Sequence, residues 1–144
     1  TLWIGLTYNA HALACAAGVA AIKAYKEEGI FDNVHKMGKV LKDGLEALAE
    51  KHPCLGDIRG TGLFYVIELV KNRATREPMC GFNQPPTEPM KKVAASLEKD
   101  GLSTFVRWNW IFNTPPLTIN AEQIQEGLTI VDKALDEADP YYEG

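Results

Sequence analysis

Within residues 101–117, Arg107 stands among Phe105, Val106, Trp108 and Trp110. A guanidinium does not give up its proton, so burying it in such company is costly unless an anion meets it. Its planar fork of donors also matches a carboxylate through two parallel hydrogen bonds. The pattern points to recognition of a small carboxylate. Two structural roles stay open for the same residue: exposure on the solvent face of an edge strand, or pairing with an internal Asp or Glu.

A second candidate lies near the start of the chain. Gly5-Leu6-Thr7-Tyr8-Asn9-Ala10-His11 leads into an alanine-rich helix. The N–H groups and positive dipole end of a helix N-terminus suit a phosphate, and a threonine hydroxyl can add one more donor. Simple capping by Thr7 or Asn9 is the structural alternative. Asp57-Ile58-Arg59-Gly60-Thr61-Gly62 resembles a phosphate loop only superficially, because its spacing differs and a strand follows it. Its glycines read as turn residues.

No lysine shows the apolar or cationic setting that activates an amine, since most lie on polar helix faces and Lys71 follows a strand at its exit. No Ser-His-Asp, Cys-His or paired-carboxylate arrangement stands out. As a free-standing catalyst the chain looks incomplete.

The elements that must position these residues follow from periodicity. Residues 9–28 read as a helix stopped by Gly29, nearly uncharged in its first half and so expected to be buried on most sides. That demand exceeds what a domain of this size can cover and points to a missing partner. A second helix, capped by Asp32, runs to Lys51 with Val34, Met37, Leu41, Leu45 and Leu48 on one face, and His52-Pro53 ends it. A short strand is expected over 55–59, a turn at Gly60-Thr61-Gly62, and a strong strand over 63–70. That strand is apolar on both faces apart from Glu68, so it should be central and covered. Residues 72–86 lack a period, and a third helix spans 87–100 with Gly101 after its end. Two strands around Arg107 and Ile111 precede a last helix opened by an Asn120–Gln123 capping box. The order implies an α+β domain, a mainly antiparallel sheet with helices on one face. A boundary near Gly29 separates residues 1–29 from 30–144.

Composition narrows the function. A net charge of −4 without a basic run argues against nucleic acid. The longest mostly apolar stretch, residues 13–22, is far too short for a bilayer, so no membrane role is expected, and no secretory leader is visible. Cys15, Cys54 and Cys80 are widely spaced and odd in number, which fits a reduced cytoplasmic protein. The spacing of His11, His35 and His52 argues against a metal site.

Three segments, taken in order, resemble the class III pyridoxal-phosphate aminotransferases of fold type I. They are Thr7 to His11 with its helix, Ile58 through Gly62 to Pro78, and Gly101 through Arg107 to Pro115-Pro116-Leu117 with the capped final helix. The likeness is greatest to the ω-amino acid, β-alanine and taurine:pyruvate type. It implies that this chain is the small C-terminal domain, preceded by a long interdomain helix that packs on a missing N-terminal large domain. The lysine that anchors the cofactor in that family, and the aspartate on the pyridine nitrogen, have no counterpart here. The resemblance further implies that Thr7 binds the phosphate of pyridoxal 5'-phosphate in the other subunit of a homodimer, with Leu6 close by. Arg107 would bind the carboxylate of small amino and keto acids and swing aside for an amine without one. Gly60 and Gly62 would shape the turn before the central strand. Two departures matter. Ala10-His11-Ala12 stands where the family usually has Gly-His-Pro, and loss of the proline should loosen entry to the helix. Bulky tryptophans flank Arg107, which bears on substrate range.

Overall fold

The computed structural model describes Gly5 and residues 7–144. The chain divides into two compact units, Thr1–Asp32 and Asn33–Gly144. The first holds helix α1, Ala12–Glu27, which starts three residues later than its periodicity suggests because His11 serves as N-cap. The imidazole Nδ1 accepts from the Ala14 N–H at 3.4 Å. None of the α1 side chains is buried, in contrast to the burial expected for its uncharged half.

Helix α2, Ile30–Lys51, begins two residues before the expected cap, which places Asp32 inside its first turn. There the carboxylate favours the positive end of the helix without capping it. The remaining elements are β1 (Leu55–Thr61), β2 (Phe64–Asn72), β3 (Glu77–Pro78), α3 (Glu88–Lys99), β4 (Val106–Arg107), β5 (Trp110–Asn113) and α4 (Ala121–Asp136), with a 3-10 turn at Asp139–Tyr141. The strands form one antiparallel sheet in the order β1-β2-β5-β4, and β3 adds to β2. The domain is α+β.

The expected turn at Gly60 is shorter than predicted. Gly60 and Thr61 stay in β1, paired with Tyr65 and Phe64, and only Gly62-Leu63 connect the strands. Gly62 has φ +57°, and a positive φ at the first central position alone is the pattern of a type II′ hairpin. The α2 backbone passes directly over this turn. A Cβ on Gly38 would lie 2.5 Å from the Gly62 carbonyl oxygen, so no side chain fits there.

Period-2 alternation decides which sheet face is covered. Tyr65, Ile67, Leu69 and Ile111 join Leu41, Leu45, Met90, Val93, Leu97, Ile124, Leu128 and Leu135 in one core beneath the helices. The opposite face of β2 is not covered within this chain. Phe64 is 55% exposed, and Val66 and Glu68 are only half-buried, which corrects the expectation of a strand covered on both sides. Glu68 is instead answered by Arg59 from the neighbouring strand. Phe112 meets Phe64 and Phe105 edge-on, at 6.1 and 5.2 Å between ring centres.

Capping residues place the helix ends. Asn120 and Gln123 exchange both hydrogen bonds of the capping box, at 2.9 and 3.2 Å. Arg73 donates to the carbonyls of Ala49, His52 and Leu55, closing the C-terminus of α2 with a positive charge. Beside it, buried His52 spans two carboxylates: Nε2 to Asp132 and Nδ1 to Asp139, each at 2.7 Å. Lys51 also donates to both Asp132 oxygens, at 2.7 and 2.8 Å.

The Lys51 ammonium first, then His52, hold the Asp132 carboxyl below its ordinary value of 3.8. A carboxyl depressed by folding contributes stability above its unfolded pKa and loses it as pH falls through the lower folded value. Asp132→Asn should therefore be less stable than the parent at neutral pH, with the gap closing below the ordinary carboxylate range. Urea midpoints along a pH series check this, and a gap that persists unchanged into acid would contradict it.

Candidate functional site

The β4–β5 hairpin carries the strongest candidate. It is joined by Trp108-Asn109, and its register sets Arg107 opposite Trp110 and Val106 opposite Ile111. Ile111 belongs to the core, so alternation sends Arg107 and Trp110 to the uncovered side. Arg107 lies on the edge strand and is exposed. The premise that its neighbours bury it is thereby corrected: a strand at the sheet's edge leaves the long side chain free to reach solvent.

The second structural role, pairing with an internal acid, is not what the side chain does. Among the described residues no carboxylate lies within 4.0 Å of the guanidinium. Its neighbour is instead the Trp108 ring, with Cζ 4.6 Å from the ring centre. Arg107 and Trp108 border a groove of about 510 Å³ against α3, with Lys91 and Glu98 on its far wall. Chemically this is an exposed cation over an aromatic ring, without a carboxylate partner among the described residues.

Thr7 lies in an exposed turn ahead of α1. Leu6 falls outside the described residues. Ala10 adopts φ +54°, a left-handed conformation that glycine takes without cost. The first turn of α1 contains no acidic side chain. A hydroxyl, a helix N-terminus and no competing negative charge make a donor set that fits a phosphate group.

His52, Asp136 and Asp139 bring donor atoms within 4.8 Å of one another, a grouping that histidine and cysteine spacing does not reveal. With both imidazole nitrogens already on carboxylates, this set is a hydrogen-bonded clasp between α2, α4 and the 3-10 turn. No helix among the described residues is long and apolar enough to cross a membrane.

The sequence pattern of the family described as aminotransferase class-III matches residues 2–135. The chain belongs to the class III aminotransferases. Its fold matches the taurine:2-oxoglutarate aminotransferase of Bifidobacterium kashiwanohense, solved in complex with PLP and glutamate, with a TM-score of 0.87 and 44% identity. That match covers 97% of this chain and 31% of the other. Among curated relatives, the 4-aminobutyrate aminotransferase GabT of Escherichia coli (strain K12) is 34% identical over 94% of this chain and 31% of its own length. The ethanolamine-phosphate phospho-lyase homolog 1 of Caenorhabditis elegans is 38% identical over 90% of this chain and 27% of its own length. This class III chain thus spans about a third of the proteins it matches, and the cofactor of its family is pyridoxal phosphate.

Proposed function

We propose that this chain is the small domain of an aminotransferase that moves an amino group from an ω-amino acid or amine to a keto acid such as pyruvate. In this reading it is inactive without a large, cofactor-bearing domain and works in a homodimer. The carrying observation is Arg107, an exposed cation with no internal carboxylate, stacked on Trp108 at the mouth of a groove. Such a group binds a carboxylate by its donor edge and is free to turn away when the amine has none.

Pyridoxal phosphate supplies the electron sink and carries the amino group between donor and acceptor. The chain's own contribution is selection and holding. Arg107 orients the acid end of the substrate, and Thr7, with Leu6 beside it, holds the phosphate from the far side of the subunit interface. Thr7→Ala should raise by about five- to tenfold the cofactor concentration needed for half-maximal activity, the loss of one solvent-accessible hydrogen bond of about 1–1.4 kcal/mol. An unchanged requirement would remove Thr7 from the phosphate site.

The deciding assay offers the holoenzyme an ω-amino acid donor with pyruvate, with 2-oxoglutarate, or with no keto acid. Turnover that depends on a keto acid supports transamination, and the preferred acceptor names the partner substrate. A second reading, elimination or another reaction on the same scaffold such as decarboxylation or aminomutase chemistry, is favoured by the likeness to the phospho-lyase homolog. It predicts turnover without any acceptor.

A further inference from the structure

The turn beside Arg107 is built on a residue in an unusual conformation for its type. Trp108 has φ +53°, a left-handed backbone that bulky side chains rarely adopt and that glycine or asparagine takes readily. The surroundings impose it. Asn109 is 7% exposed, and its carbonyl accepts from the Leu69 N–H at 2.8 Å while its Nδ2 donates to the Leu69 carbonyl at 3.1 Å. The Trp108 ring contacts Phe82 and Trp110, at 4.3 and 4.8 Å between centres. Strain kept at an anchored turn calls for a use of the side chain that requires it.

We propose that Trp108 is a positioning residue for substrate binding: it is the platform that keeps the Arg107 guanidinium flat and oriented before a carboxylate arrives. The inference rests on the reading of Arg107 as the carboxylate anchor. An exposed arginine samples many rotamers, and ordering it at the moment of binding weakens affinity. Stacking on an aromatic face restricts that freedom in advance, and tryptophan is the best of the aromatic rings for it. The two contacts do not compete. The carboxylate uses the in-plane N–H edge, whereas the indole uses the flat face. Phe82 and Trp110 act one step further out by fixing the indole.

The test is a double-mutant cycle in the holoenzyme, with Trp108→Leu and Trp108→Tyr each made in the parent and in Arg107→Ala. Steady-state constants are measured with a keto acid and with a carboxylate-free amine. Trp108→Leu should raise the keto-acid KM about two- to five-fold with kcat little changed. Trp108→Tyr should restore most of that loss, and in the Arg107→Ala background Trp108→Leu should add nothing. If leucine is not accommodated, Trp108→Asn suits the left-handed turn, lacks the π face and makes the same comparison. A parental keto-acid KM in the ring-free variants overturns the platform role, as does an equal rise in the Arg107→Ala background or for the amine. An unchanged keto-acid KM in Arg107→Ala alone overturns the anchor reading itself, and the platform falls with it.

Discussion

Replacing Arg107 with alanine in the holoenzyme is expected to lower kcat/KM for a keto acid by about ten- to a hundred-fold, with use of a carboxylate-free amine nearly unchanged. The magnitude follows from a charge-assisted, bidentate contact, which contributes about 1.5–3 kcal/mol. The asymmetry follows from geometry, since an exposed side chain with no carboxylate partner among the described residues leaves no unpaired charge behind when it is removed. Arg107→Lys should fall between, because lysine keeps the charge and loses the fork. Steady-state kinetics with both substrate types check this, and equal losses for both would remove the carboxylate role.

The second large effect concerns stability. His52→Leu should cost about 2–4 kcal/mol and lower Tm by about 6–12 °C, without altering substrate preference. The ring is buried, and its removal takes from Asp132 and Asp139 the imidazole that bridges them, leaving Asp132 with Lys51 alone. The Asp132 and Asp139 side chains are 30% and 25% exposed, so water relieves part of the penalty and keeps the figure below that of a fully buried pair. Thermal unfolding measures it. A change under about 0.5 kcal/mol would show that the two carboxylates do not need the imidazole.

The helices and the inner sheet face were legible because both periods are written plainly. Leu41, Leu45 and Leu48 recur at helical spacing, and the Asn120–Gln123 pair is a local signal read in the same form by sequence and structure. The boundary errors have local causes. His11 carries no strong capping signature, Ile30 starts α2 without one, and Thr61 continues its strand because Gly62 alone supplies the positive φ. The uncovered sheet face is not legible in the sequence, because Phe64, Val66 and Phe112 are as apolar as core residues and a sequence does not say what covers them. The exposure of Arg107 was hidden for the same reason. Its aromatic neighbours look like a core, although β4 is an edge strand of only two residues. The His52 clasp escaped because its partners lie 80 and 87 residues away, beyond any spacing rule. The left-handed backbone at Ala10 has no sequence signal, because alanine does not mark a positive φ.

The most direct measurement is a crystal structure of the holoenzyme with a bound dicarboxylate substrate analogue. One carboxylate is expected in the Arg107 groove, bound by two parallel N–H···O contacts of about 2.8 Å with the guanidinium still over Trp108. A bound analogue whose carboxylates both lie elsewhere, with Arg107 left in solvent, would contradict it.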